Sequence, residues 1–468
     1  MPDLQVLLHR HDRALRWVLV ALGAGVGLVM VARCQVGGDQ LNLLARGWLL
    51  AERGQWVQFG MPTSAGGLAP GGLVSLMVGL PLMIWRDFRA PALLLWLTHL
   101  GAFLLLDRTA GRALGRRGRL LLVVLYWLNP WQLYFSGHLW NASYMFLFGA
   151  LHLATAWWSR ERASFWASLL HVAAIGFAVQ LHASAPVLAV ASLLLVLRGH
   201  LRMSWTGAAA GAALVSASLL PWAMATLEAP RTLPGHEGFL LRGLILVFPV
   251  VRGILFLVRS GSLLVSAKLL RLDFTPALGS ASDAILTPTL VVLAWVVLPL
   301  TLLLPVAATL RLWRARRRWL LRQPPGGSLP PRQWLTAYSV ACLAAAVVSF
   351  ALSPTTVMMW QTFVVFHAAV LPCVLLAGAL LGSRRAALAA RCVLAWAAVA
   401  VLLGAVMAVA SPMYRRGGRR PVEIELAADH PMLHDLGIAE RCTTPVVGDG
   451  GWTPDLFRAG STLETPGD

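Results

Sequence analysis

The side chains able to do chemistry in this chain gather where long apolar runs begin or end. The foremost is Asp39, in Gly37-Gly38-Asp39-Gln40, where the first such run stops and a carboxylate stands at what should be the outer face of a membrane. A carboxylate there can take a proton from a substrate hydroxyl. It can equally cap the amphipathic helix that follows, a contact worth about 1 kcal/mol; the two roles are compatible. His138, Trp140 and Asn141 open a later apolar run, a position where aromatic residues commonly mark the membrane interface. Gln180 and His182 close another run, as interfacial polar groups or as ligand contacts. Arg231, His236, Glu237 and Arg242 lie in a long segment between runs, where Glu228 and Glu237 can pair with the arginines. Arg252 and Arg259, seven residues apart, share one helix face and suit lipid headgroups or a substrate phosphate. His367, four residues into a run, faces either a buried cavity or a helix partner. Asn141-Ala142-Ser143 forms a glycosylation sequon that reads as accidental, and metal-spaced Cys/His clusters, phosphate loops and nucleophile elbows do not occur.

These residues need a membrane scaffold to position them. The chain has 468 residues, 58% of them hydrophobic and 13% charged, with a mean hydropathy of +0.69. That is too apolar for a soluble protein of this length and fits a polytopic membrane protein. The formal net charge of +19 comes from 38 Arg and the single Lys268. The Arg bias points to a GC-rich bacterial genome, and nucleic acid is a poor explanation for the charge.

Taken in order, a basic start, Met1 to Arg16, leads into a retained first span at 17–36. A helix follows in which Leu41, Leu44, Ala45, Trp48 and Leu49 share one face, suited to the membrane surface. A turn-rich loop, Gly60 to Gly72, precedes a 13-residue apolar stretch, Leu73 to Trp85, too short to span and placed as an interfacial or re-entrant helix. Further spans are expected at about 91–107, 119–136, 142–158, 165–180, 186–198, 205–226, 285–310, 334–352, 363–383 and 391–410, giving eleven.

The segment Phe239 to Phe274 is apolar but interrupted by Pro249, four Arg and Lys268, and the positive-inside rule decides its placement. With it on the outer side, the cytoplasmic pieces hold 22 Arg against 4 acidic residues and the outer pieces 17 basic residues against 16 acidic. An extra span there would move the seven-Arg loop Arg311 to Arg332 outside. The expected organisation is therefore an all-α membrane domain, 1–410, with outer loops at 37–90 and 227–285, followed by an outer tail at 411–468. Cys34 and Cys442 both fall on that oxidising side, where a disulfide would require approach within bonding distance.

A first span followed at once by an acidic residue, an amphipathic helix, a Gly/Pro-rich loop and a short surface helix resembles the outer loop of the GT-C glycosyltransferases. The nearest likeness is to the branch using polyprenyl-phosphate sugars, which includes the protein mannosyltransferases and the lipid A aminoarabinose transferase. The matching pieces are Gly38-Asp39-Gln40, Thr63 to Gly71, Asn129-Pro130 and Phe135-Ser136-Gly137-His138-Leu139-Trp140-Asn141. The resemblance implies a bacterial inner-membrane transferase with a cytoplasmic N-terminus and a periplasmic C-terminus. It would move sugar from a polyprenyl-phosphate donor to an envelope glycan, lipid or protein. Asp39 would be the base for the acceptor hydroxyl, and His182, Arg231, His236 and the Arg residues of 242–259 would meet the departing phosphate. Relatives often carry Asp-Glu where this chain has Asp39-Gln40, and a second acid where it has Asn141. One carboxylate without a neighbour makes a poor divalent-metal site. Two other classes stay open: a lipid or sugar-lipid transporter, and a non-catalytic relative acting in binding or assembly.

Overall fold

The structure, a computed structural model, describes residues 3–33, 39–63, 68–228, 247–265, 280–319, 329–353 and 357–410. Arg231, His236, Glu237, Arg242, Cys34, Cys442 and the expected tail lie outside the described residues. Every extended regular element among those described is helical. Helices occupy all eleven apolar segments expected from the sequence, and among the described residues seven helical stretches are long and apolar enough to cross a membrane, three shorter apolar ones accompanying them.

Helix α1 (Asp3–Ala32) leads to α2 (Asp39–Arg53) and α3 (Leu73–Ile84). The two short helices cross where glycine meets glycine: a Cβ on Gly47 would lie 2.9 Å from the Gly79 nitrogen, and one on Gly79 would lie 2.8 Å from the Gly47 carbonyl oxygen. The chain between them folds back on itself through Gly60 N–H to Ala69 O (2.8 Å) and Ala69 N–H to Met61 O (2.9 Å). Ser75 Oγ and Trp56 Nε1 fasten that loop to α3 by donating to the Val57 and Gly72 carbonyls.

Helix α4 (Arg89–Leu122) is two helical runs that reverse at Gly115, whose φ of +74° only glycine adopts without strain. In a straight helix Asp107 and Arg119 would be about 18 Å apart along the axis, yet they approach to 4.0 Å. The two expected spans on either side of 108–118 are thus a helical hairpin. Arg332 closes its turn by donating to the Ala113 and Leu114 carbonyls, which the end of a helix leaves unpaired.

After a π-helical turn come α5 (Pro130–Gly137), α6 (Met145–Trp158), α7 (Phe165–Leu181), α8 (Pro186–Leu197) and α9 (Trp205–Glu228). Asn129 caps α5, accepting from Trp131 N–H, with Pro130 in the first turn. Helix α10 (Val247–Ser260) falls in the segment assigned to the outer side. Its 14 residues reach about 21 Å, too short to cross. Its middle packs against Phe350 through Gly253, and a Cβ on Gly261 just beyond its end would meet Cys373 Sγ at 2.8 Å, half-way along a spanning helix. It therefore dips inward instead of lying flat. Helices α11 (Ser280–Val292), α12 (Leu303–Trp319), α13 (Pro331–Ala351), α14 (Phe366–Leu381) and α15 (Ala386–Ala410) complete the bundle. Its two ends differ: one carries Asp39 and Trp140, the other the arginines of the α4 turn and Arg332.

Candidate active site

Asp39 occupies the first turn of α2 and is exposed. Its Oδ2 accepts from the Trp140 indole at 3.0 Å, and among the described residues Oδ1 has no partner. The carboxylate thus caps no described N–H of its own helix. Because an indole nitrogen only donates, Trp140 fixes the carboxylate's direction while leaving one oxygen free for a substrate.

Trp140 belongs to an aromatic wall. It packs edge-on to Trp360 (centroids 5.0 Å apart) and stacks on Phe135 (6.1 Å), which stacks in turn on Trp131 (6.2 Å). The Arg259 guanidinium lies over Trp131 at 5.2 Å and donates to the Leu264 carbonyl. Arg252 donates to the Met358 sulfur, two residues before Trp360. The wall therefore runs from the Asp39 carboxylate at one end to the Arg259 guanidinium at the other, with Arg252 of the same helix beside the Met358–Trp360 stretch that packs on Trp140. Neither Trp360 nor the wall was legible as part of the site: Trp360 stands 220 residues from Trp140, in a stretch whose only sequence signal is the start of an apolar run.

The other expected residues divide into those the fold brings to Asp39 and those it uses elsewhere. His138 Nε2 lies 3.1 Å from Gln40 Nε2, and since the amide can only donate, the imidazole accepts. Burial pushes His138 down to about 4, so it is neutral at physiological pH. Gln40 thus orients a ring that also packs on Trp140 at 6.0 Å. Asn141 donates to the Leu181 carbonyl at 2.8 Å and ties the loop to the end of α7. Gln180 donates to Ser218 on α9 and presses its Oε1 against Gly71, leaving no room there for a Cβ. His182 Nδ1 accepts from Ser184 N–H, and burial pushes it down to about 4. His367 lies farther in. Its Nε2 bonds Tyr338 OH (2.9 Å), the first link in a buried chain through His152, Ser192 and His171 to Thr155.

Arg46 was not anticipated. It sits on the same face of α2 as Asp39, two turns on, fully buried, donating to Asn42 Oδ1 and the Phe59 carbonyl at 2.6 Å each, with burial pushing it down to about 10. It clamps the 55–63 loop onto the helix that carries Asp39. Among the described residues no three His, Cys, Asp or Glu side chains group closely enough to hold a metal ion.

No protein-family model matches the chain, and no curated protein matches it. Among solved structures it is similar to ArnT from Cupriavidus metallidurans bound to undecaprenyl phosphate, at a TM-score of 0.50 and 14% identity, covering 85% of this chain and 76% of that one. With its many apolar helices and this likeness, the chain is a multi-pass membrane protein with the GT-C fold.

Proposed function

We propose that this protein is an integral-membrane glycosyltransferase that moves a sugar from a polyprenyl-phosphate donor to an envelope glycan, lipid or protein acceptor at the periplasmic face. The observation that carries this reading is the aromatic wall with the Asp39 carboxylate at one end and Arg259 at the other, Arg252 lying beside Met358 along it. A sugar on a lipid phosphate already has a good leaving group, so the protein needs a base at the acceptor and positive charge at the phosphate. Asp39 Oδ1 takes the hydroxyl proton as the oxygen attacks the anomeric carbon, and the phosphate leaves toward the arginines. Trp140 holds the carboxylate, and aromatic faces suit both sugar and prenyl chain. A single displacement inverts the anomeric centre. The likeness to ArnT supports the class, and the undecaprenyl phosphate bound to ArnT supports a lipid phosphate as the donor's leaving group.

The test is mass spectrometry of envelope lipids and polysaccharide from intact, deleted and Asp39→Asn strains at matched protein level. Asparagine keeps the shape and can still accept from Trp140 but cannot act as a base. Loss of the same sugar-sized unit in both altered strains is the expected result. Loss in the deletion with retention in Asp39→Asn removes Asp39 from the chemistry. That outcome would favour a transporter, a reading to which the buried His367–Tyr338–His152–Ser192–His171 chain lends some weight, since transporters place such groups along their pathways.

A further inference from the structure

Five guanidinium groups converge on one cavity at the end of the bundle remote from Asp39. The cavity measures about 690 Å³, lies between the third and fourth turns of α1 and the reversal of α4, and is lined by Asp12, Arg13, Arg16, Arg112, Arg116 and Arg119. Two buried carboxylates hold three of these arginines in place: Arg116 pairs with Asp12 at 2.8 Å, and Asp107 receives Arg16 at 3.2 Å and Arg119 at 4.0 Å. Five positive groups against two negative ones leave three charges uncompensated. Arg13 and Arg112 are exposed and have no carboxylate or hydrogen-bond partner among the described residues, and the buried Arg16 Nε is also unpartnered.

The positive-inside rule explains arginines at one end of a membrane protein but not their convergence. That follows from Gly115, whose left-handed backbone turns α4 back on itself and puts Arg112, Arg116 and Arg119 on one side. Arg117 of the same turn faces a different cavity, with Arg311 and Arg332. Planar guanidinium groups around a space of this size match a phosphate, to which a guanidinium can donate two parallel hydrogen bonds. The surroundings favour a lipid as its source. Leu97, Leu104 and Gly111 are spaced by seven on one face of α4; Gly111 lines the cavity, while Leu97 and Leu104 are exposed. Trp17, 48% exposed, stands at the rim where aromatic side chains meet headgroups.

We propose that this cavity binds the phosphate of an anionic membrane lipid, whose acyl chains run along the exposed face of α4. The site is separate from the one bearing Asp39 and does not depend on the transferase reading. It is tested on the full-length protein in neutral detergent, with phosphatidylglycerol or phosphatidylcholine titrated and adducts counted by native mass spectrometry. Thermal shift with inorganic phosphate runs in parallel. The wild type should retain phosphatidylglycerol over phosphatidylcholine, and the double variant Arg13→Gln/Arg112→Gln should bind it more weakly by about tenfold or more, given the attraction each surface arginine contributes. Arg384→Gln/Arg385→Gln, which removes two exposed arginines elsewhere on the same end, should bind as the wild type does. Should the first variant lose thermal stability, Arg13→Lys/Arg112→Lys keeps the charge and should restore retention. A saturable phosphate shift lost in Arg13→Gln/Arg112→Gln, without a preference for phosphatidylglycerol, overturns the lipid assignment in favour of soluble phosphate. Equal effects in both glutamine variants, or none in either, overturn the site itself.

Discussion

At the scale of single residues, Asp39 presents one oxygen to the Trp140 indole and leaves the other uncommitted. Removing the base while keeping the shape should lower turnover by about 10²- to 10⁴-fold for Asp39→Asn, read in a transfer assay with purified protein. Trp140→Phe keeps the aromatic wall but frees the carboxylate to rotate, so its loss should be smaller and fall on turnover more than on donor affinity. His138 gives a pH prediction. Its folded value of about 4 lies below the ordinary imidazole value near 6.5, so between those limits the unfolded chain binds more protons and stability rises with pH. Acidification from pH 7 to 5 should therefore destabilise the protein by about 2 kcal/mol through this ring. The melting temperature of His138→Gln should fall less over that interval than that of the wild type; equal slopes would show that the ring carries no such linkage.

At the scale of elements, the α2–α3 crossing decides where Asp39 stands. A methyl group on Gly79 would press on the Gly47 carbonyl oxygen and on Leu50, whereas one on Gly101 in α4 would meet nothing within 4 Å. Gly79→Ala should cost roughly 1–3 kcal/mol by forcing the two helices apart, and activity should drop with it. Gly101→Ala should be neutral or slightly stabilising, because alanine favours helix. Equal melting temperatures for the two variants would mean that the crossing is slack. The contrast also shows what could be read from sequence. The spans were legible because run length and hydropathy are local, and α2 was legible because Leu44, Ala45, Trp48 and Leu49 share a face that is indeed buried. Arg46 was not, because the helical pattern assigned it to the polar face; the 55–63 loop, which covers that face, is set by contacts such as Gly60 to Ala69 that no periodicity encodes. The Asp39 site divides the same way. Its carboxylate and the His138–Asn141 cluster stood out as polar groups ending apolar runs, but Trp360 reaches Trp140 only through folding. The inward dip of α10 was hidden for a related reason: its arginines signal an interface, and only its partners, Phe350 at its middle and Cys373 just beyond its end, reveal its depth.

At the scale of the whole molecule, the bundle is polarised. One end carries Asp39, Trp140 and the ends of α7 and α13; the other carries the α4 reversal, Arg332 and the turn at Ser383. If the positive-inside rule orients the bundle, the Arg-bearing end faces the cytoplasm and Asp39 the periplasm, where a lipid-linked sugar would be presented. Two exposed positions report on the two ends: Ala183, beside His182, and Ser383, after α14. In a variant with its own cysteines replaced, Ala183→Cys should react with a membrane-impermeant maleimide in cells whose outer membrane alone has been permeabilised. Ser383→Cys should react only after the inner membrane is opened as well. The opposite pattern would place Asp39 in the cytoplasm, where a soluble nucleotide-sugar donor becomes the natural substrate. The proposed transfer from a lipid phosphate at the periplasmic face would then be withdrawn, while the helical bundle and its aromatic wall would stand.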